Sequence, residues 1–372
     1  MVTALISATA GNESGDRWGL TGSEDLGGGN KALFKLENGF TLNGALGQGG
    51  LMFGRQAFVG IRNDHWGTVT LGRQYNVVQD YLGLVQIVDT GAMTAYGLSV
   101  YDNDDLNNTY RANNSIKYST PTVAGLTVEA QYAFSNSAGQ FSNNRAWSIG
   151  ADYVRGGLRV DAAYSLLDHP ATNANGATSA NNDYSTATSI ISKVARDQVF
   201  GAGAVYKFGK ATATLLYTGS RFDMLAGGSM RFANYQAGFS YLFTPAVLVS
   251  LGYIYTDQQS SAASATDAHY HLMALGCQYY LSKATDLYVN GIFQRASGAN
   301  AWIEAIPAPS TTGNQFVAVI DMRHKFWKAS SAKPDRSDAW QIFQRLFNPA
   351  FFKGSFNSNM SVRVRDGSHL WT

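Results

Sequence analysis

The chain has 372 residues but one cysteine, seven prolines and no apolar run close to the roughly 18 residues that a membrane-crossing helix needs. A single cysteine excludes an intramolecular disulfide framework and a thiolate metal cluster. Cys277 is therefore read as a small apolar side chain on a strand. Charge is also scarce: Asp, Glu, Lys and Arg make up 15% of the chain, against about 25% in ordinary soluble proteins. The formal net charge is +2, but residues 327–372 hold seven of the 28 bases and three of the 26 acids. That leaves 21 bases against 23 acids upstream, so there is no basic field of the kind that binds nucleic acid. Met1–Ala10 lacks a basic segment followed by an apolar one, and so does not read as an export leader.

What is abundant is glycine (39), tyrosine (20) and phenylalanine (20), set in segments of about ten residues in which apolar and polar positions alternate. Leu126, Val128, Ala130, Tyr132 and Phe134 share one face, while Thr127, Glu129 and Gln131 share the other. Leu158, Val160, Ala162, Tyr164 and Leu166 oppose Arg159, Asp161 and Ser165 in the same way. A period of two puts one face against an apolar phase and the other against water. Apolar faces that end in aromatics, opposite polar faces that recur strand after strand, fit a transmembrane barrel with a wet interior. Fifteen strands are predicted: 16–25, 30–41, 52–62, 67–73, 113–119, 125–134, 145–154, 157–166, 198–208, 210–221, 232–243, 246–256, 269–281, 285–295 and 314–326. Short links such as Leu26–Gly29, Asn63–Gly67, Arg155–Gly157 and Thr244–Ala246 alternate with long ones near 74–113, 135–144, 167–197, 257–267 and 296–313. Such alternation describes a barrel with turns on one rim and loops on the other, and is unusual in a soluble sandwich.

Four ordered motifs make the reading specific: Asp16 to Gly29 (DRWGLTGSEDLGGG), Leu36 to Phe40 (LENGF), Phe53 to Gly60 (FGRQAFVG) and Gly67 to Tyr75 (GTVTLGRQY). Together with the close on Arg323, His324, Lys325 and Phe326, they resemble the general porins of Gram-negative outer membranes in their beta-proteobacterial form, over about residues 11–326. The resemblance implies an all-β, antiparallel, sixteen-stranded barrel in the outer membrane, assembled as a homotrimer, with an inward-folded third loop. It also implies free diffusion of small hydrophilic solutes and inorganic ions, with no cofactor. Two departures are noted. The family's leader and first strand would precede Gly11, so residues 1–326 are read as an N-terminally truncated barrel. The family also stops at the phenylalanine matched by Phe326, which serves it as an assembly signal. Here residues 327–372 follow as an extension outside the family pattern, with a short helix expected at Asp338–Phe347 between the Ser337 cap and the Asn348-Pro349 stop.

A barrel this wide needs a constriction, and the long loop at 74–113 is the segment available to form one. The resemblance implies arginines on the wall facing acids on the loop, with mild anion preference. The bases are assigned as Arg55, Arg73 and Arg111, with Lys31, Lys35 and Lys117 as further lining; the acids are Asp80, Asp89, Asp102, Asp104 and Asp105. Alternation groups Arg55 with Ala57 and Val59, opposite Phe58, and groups Arg111 with Lys117. Arg73 falls in the row of Val69 and Leu71, and is placed in the pore on the resemblance and on the freedom of Gly72 to turn the chain. Trp18, Phe34 and Phe58 are expected to face outward, where a subunit contact would form.

Other chemistry finds little support. Gly27, Gly28 and Gly29 open no helix, so they read as a hairpin turn and not as a phosphate cradle. His269 and His271 share a strand face but have no third ligand, and no Ser–His pair stands out as hydrolytic. The alternatives are a surface receptor or adhesin that acts through its loops, and a truncated barrel without channel function.

Overall fold

The computed structural model describes residues 15–91, 93–107, 110–170, 173, 175–178, 194–262, 266–304, 306, 308–325 and 360–363. Its core is one antiparallel sheet in which each strand pairs with the next: β1 (Arg17–Gly27), β2 (Asn30–Gly39), β3 (Gln56–Asn63), β4 (Gly67–Gln74), β5 (Ala112–Ser119), β6 (Leu126–Ala133), β7 (Arg145–Arg155), β8 (Leu158–Asp168), β9 (Val194–Phe208), β10 (Ala211–Met224), β11 (Ser229–Thr244), β12 (Val247–Ser260), β13 (Ala268–Tyr280), β14 (Thr285–Ser297) and β15 (Asn314–His324). A sixteenth strand, β16 (Met360–Arg363), pairs antiparallel with β1 on the side away from β2. All fifteen predicted strands are present, with ends displaced by four residues or fewer. Phe326 and the helix expected at 338–347 lie outside the described residues.

The alternation seen in the sequence becomes an inside-out solubility pattern. Thr218 and Asn234 face one another in register and are 0% exposed, whereas Leu215 is 66% and Ile320 81% exposed. Polar residues fill the inner rows (Thr70, Lys117, Gln131, Ser148 and Ser165 are buried), and the exposed outer rows carry Val59, Leu71, Leu251, Leu275 and Val289. Exposed aromatics bracket that apolar band, with Phe134, Trp147, Phe200, Tyr217 and Tyr235 toward the loops and Tyr206, Phe208, Tyr241, Phe243 and Tyr279 toward the turns. This is the profile of a barrel set in a membrane. His269 and His271 belong to the exposed outer row, beside Tyr255 and Tyr253. Phe58 departs from expectation: it pairs across to Lys35 and Gly72, in the inward row that continues to buried Ser115. Ala57, Val59 and Ile61 take the outward side instead.

Between Gln74 and Ala112 the chain turns into the lumen and lies along the inner wall formed by β7 to β13. Asn76 caps the first short helix, Val77–Tyr81, by accepting from the Gln79 backbone N–H at 2.9 Å. A 3₁₀ turn, Leu82–Val85, and a second turn, Ile87–Thr90, follow. Val77, Val78, Leu82, Val85, Ile87 and Met93 form a buried underside. Glycines on inward wall positions receive it. A Cβ on Gly150 would lie 2.9 Å from Val77 Cγ1 and 2.8 Å from Tyr81 Cδ2; on Gly201, 2.8 Å from Leu82; on Gly203, 2.8 Å from Val85; on Gly252, 2.8 Å from Ile87. Gly238 meets Ile87 in the same way at 3.0 Å. The missing side chains thus form the trough in which the loop sits. Polar contacts lock it there. Ser148 Oγ accepts from the Val77 N–H (3.2 Å), Ser240 Oγ donates to the Thr90 carbonyl (3.1 Å), and Asn234 Nδ2 donates to Asn103 Oδ1 (2.8 Å).

Gly252→Leu places a side chain where Ile87 and Met93 now pack. It should cost about 1–3 kcal/mol of loop docking and push the loop toward the lumen. Single-channel conductance in a planar bilayer should fall while the barrel still migrates as a folded species. Unchanged conductance in the folded variant would show that the glycine trough does not set the loop position.

Candidate constriction site

Opposite the seated loop, the wall of β1 to β5 gathers the charges. Glu37 lies on the inward row of β2, and its partner in register, Gly19, leaves the space it needs: a Cβ there would sit 2.6 Å from the Leu36 carbonyl and 3.2 Å from Glu37 Cα. Arg55 Nε donates to Glu37 Oε1 at 2.7 Å, and Lys35 Nζ lies 3.0 Å from Glu37 Oε2. Arg55 Nη2 donates to the Tyr75 hydroxyl (2.7 Å), which donates to Glu37 Oε1 (3.3 Å). The Tyr75 ring is flanked by two guanidinium groups, with Arg55 Cζ 5.9 Å and Arg111 Cζ 5.4 Å from its centroid, within cation–π range. Arg17, on the inward row of β1, is within charge–charge range of Arg55, Glu37, Tyr75 and the loop residue Asp89. Asp89 is exposed on the loop and accepts from Gln86 Nε2 at 2.7 Å. One wall therefore presents Arg17, Arg55 and Arg111 around Tyr75, and the loop presents Asp89.

Several sequence assignments reach this site by a different route, and several do not reach it. Arg55 is buried in the cluster, yet the parity argument that placed it there is reversed, because Ala57 and Val59 face outward. Arg55 precedes β3, so alternation does not govern it. Arg111 does not share a row with Lys117 either. Between Gly72 opposite Ser115 and Gln74 opposite Ala112, β5 carries two residues, Asn113 and Asn114, against Arg73 alone. Asn114 has φ +48°, and this bulge offsets the row by one residue. Arg73 fills the bulge. It stays in the outward row that alternation gave it, donating from Nε to the Gly54 carbonyl (2.8 Å) and from Nη1 to the Arg111 carbonyl (3.2 Å) and Asn113 Oδ1 (2.5 Å). Its charge is felt by Arg111 and Tyr75, but its donors hold backbone.

Lys117 lies on an inner row and forms an ion pair with Asp80, so these two neutralise one another. Nearby, Arg159 bridges Asp161 (2.6 Å) and Asp152 (3.2 Å). Lys31 is exposed at the turn end of β2 and registers with Arg62. It stands six residues, about 20 Å, along the strand from Glu37, outside the cluster. Asp102, Asp104 and Asp105 are 3% exposed or less and point into the loop or its seat, not into open lumen. Asp102 accepts from the Asn107 N–H at 2.8 Å. Asp104 accepts from Ser99 Oγ (2.8 Å) and Thr218 Oγ1 (2.7 Å), and Asp105 from Asn76 Nδ2 and the Tyr110 N–H. They anchor the loop. Arg17, Glu37 and Tyr75 were not singled out from sequence. Arg17 could have been, since it shares parity with Thr21, Ser23 and Asp25, opposite Trp18 and Leu20. Among the described residues no group of three or more His, Cys, Asp or Glu is arranged to hold a metal ion.

The profile described as Gram-negative porin matches residues 4–299. An outer membrane porin protein of Bordetella pertussis is 31% identical over 315 residues, covering 77% of this chain and 78% of that one. Outer membrane porin protein 32 of Delftia acidovorans is 30% identical, with 77% and 76% covered. Among solved structures, the anion-selective porin from Comamonas acidovorans superposes with a TM-score of 0.66 at 26% identity, over 85% of this chain and 90% of that one.

Burial raises the Asp104 carboxyl above its ordinary value, against the pull of the Thr218 and Ser99 hydroxyls. A raised folded pKa means that this contribution to loop docking is complete below the unfolded value of about 3.9 and is lost as pH rises through the folded one. Hydrogen-exchange protection at residues 100–107, corrected for intrinsic rates, should therefore weaken from acid toward neutral pH. Asp104→Asn should reduce that dependence, leaving the part due to Asp105, whose carboxyl burial also raises. Equal pH dependence in wild type and variant would remove Asp104 from the docking equilibrium.

Proposed function

Because the chain belongs to the Gram-negative porin family, we infer that its passage is set between the Arg17, Arg55 and Arg111 wall and the loop bearing Asp89, and that this arrangement favours anions. The protein is an outer-membrane channel for small hydrophilic solutes and is not an enzyme. The observation that carries the selectivity reading is the charge balance around Tyr75. Three guanidinium groups and Lys35 gather where Glu37 is the carboxylate in contact and Asp89 the one within range across the gap.

Guanidinium groups remain ionised at any physiological pH. Crowding them in a gap narrowed by protein strengthens their field relative to open water. Glu37 offsets part of Arg55 and fixes its plane; Tyr75 separates Arg55 from Arg111 and faces both. An entering anion gains from each base in turn, and a cation meets net positive charge. The loop acids temper the preference, which supports a mild selectivity. The name of the Comamonas relative, an anion-selective porin, points the same way.

Assembly as a homotrimer in outer-membrane lipid is part of this reading. It is supported by an apolar groove on the outer face of β1 to β4, lined by Phe34, Val59, Ile61, Trp66, Val69 and Leu71, with Phe34 folded over Gly22.

Arg55→Glu and Arg17→Glu should each shift the zero-current potential in a salt gradient toward cations. The anion-to-cation permeability ratio should fall at least fivefold, because ~1 kcal/mol per unit charge pair at 4 Å in water is already about fivefold for one ion and one unit of charge, and each variant changes the charge by two. Arg73→Ala should leave the ratio nearly unchanged. Selectivity that ignores both glutamate variants would move the filter away from this wall.

A further inference from the structure

Above the aromatic band on the loop side, the outward face of the barrel carries a run of charges that neither the pore nor the inward loop uses. Arg145 Nε (3.0 Å) and Arg196 Nε (3.1 Å) share the carboxylate of Asp168. Arg196 registers with Asp223, and Arg221 Nε donates to Asp223 Oδ1 at 2.8 Å. Arg231, exposed on β11, lies directly opposite Arg221 and has no hydrogen bond or ion pair with any described residue. On β12, Asp257 stands opposite Ala233, one place along the outward row, and is engaged by Gln259 Nε2 (3.1 Å) and His269 Nδ1 (2.9 Å). From β7 to β11, four guanidinium groups thus share two carboxylates, and the excess positive charge falls at Arg221 and Arg231.

Like charges directly opposite in an antiparallel pair, with Cβ atoms about 4.5–5.5 Å apart, destabilise a sheet. At a lipid surface they are costlier still, unless an anion neutralises them. We propose that Arg221 and Arg231 hold the phosphate of an outer-leaflet glycolipid, whose sugar and acyl chains lie down the outward face of β9 to β11. Long loops mark the extracellular rim of such a barrel, so this face meets the outer leaflet. A guanidinium fork matches phosphate oxygens bidentately, and clustered bases at a membrane surface recognise anionic headgroups. The seat lies outside the channel and is independent of its selectivity.

The height of the pair fits a headgroup. Tyr217 and Tyr235 face one another in register, with ring centroids 5.1 Å apart, and tyrosines of this kind mark the edge of the hydrocarbon. The arginine pair stands four residues further along both strands, about 13 Å, which is roughly 9 Å of height at a tilt of about 45°. The polar layer on each side of a bilayer is about 5–8 Å deep, so flexible arginine side chains reach its phosphates. Between the two pairs, Gly219 lies opposite Ala233, and the Phe200 ring covers Gly219, where a Cβ would be 2.5 Å from Phe200 Cζ. Phe200 and Tyr217 have ring centroids 6.2 Å apart. The face thus runs from paired cations, over small residues and aromatic rings, to exposed Leu215. That is the order of phosphate, sugar and acyl chain in a phosphorylated glycolipid.

The test is native mass spectrometry of the folded full chain in an uncharged detergent, with a bisphosphorylated, acylated glucosamine disaccharide as the probe. Wild type should retain this lipid. Its dephosphorylated form should be retained at least tenfold less, and inorganic phosphate at equal concentration should not displace it. Arg221→Gln with Arg231→Gln should lower retention tenfold or more, as for about fivefold per arginine at an anionic headgroup layer. Conductance steps equal to those of wild type identify the folded variant. Where the double variant does not fold, Arg231→Gln alone should lower retention about fivefold. Arg155→Gln removes an exposed outward arginine at the turn end of β7 and should leave retention unchanged. Retention by the folded Arg221 and Arg231 variants equal to that of wild type overturns the proposal. So does equal retention of the dephosphorylated lipid, displacement by inorganic phosphate, or an equal loss in Arg155→Gln.

Discussion

The contact between the apolar underside of the inward loop and the glycines of the opposite wall is what everything else in the lumen depends on. A barrel interior is wet, and buried apolar side chains there need a surface that is both close and dry. Gly150, Gly201, Gly203, Gly238 and Gly252 supply it by having no side chains, letting Val77, Leu82, Val85 and Ile87 approach the backbone of the wall. Hydroxyl and amide groups flanking the trough take up the loop's polar groups, as with Ser148, Thr218, Asn234 and Ser240. Buried acids then become hydrogen-bonded anchors. Fixing the loop against this wall sets its distance from the arginines on the other side of the lumen.

On that other side, the charges are held in place by different means. Arg55 is fixed by a carboxylate and a phenol, Arg111 by the face of the same phenol, and Arg73 by backbone carbonyls inside a bulge. Similar residue types therefore have distinct roles. Arg73 stiffens the point where the chain leaves the sheet to become the loop, and Arg55 and Arg111 present charge beside it. Tyr75, first after the strand, joins the two functions.

The wall was legible in the sequence to within four residues at every strand end, because period-two alternation is imposed along the whole of each strand by lipid on one side and water on the other. The constriction was legible only in part, because its residues stand where that period stops. Arg55 precedes a strand, Arg111 lies beyond a two-residue bulge, and Phe58 is an aromatic on an inner row that bulk alone assigned outward. Asp102, Asp104 and Asp105 show the same limit: a dense run of acids in a lumen loop gives no sign whether it faces solute or is bonded into the wall. For Asp104 the partners that decide it, Thr218 and Asn234, lie more than a hundred residues away. The tail strand was hidden by its length, four paired residues within an unfamiliar extension.

The loop is encoded between β4 and β5 but rests on strands made much later in the chain. Val77 is bonded to a residue 71 positions on, and Thr90 to one 150 positions on. Loop-closure entropy must be met before such contacts return anything. The trough is complete only after β12 has joined the sheet, so the aperture forms late in assembly. Until then the nascent barrel is a wide, unguarded hole, and a cell making it has reason to keep insertion and completion of the wall closely coupled.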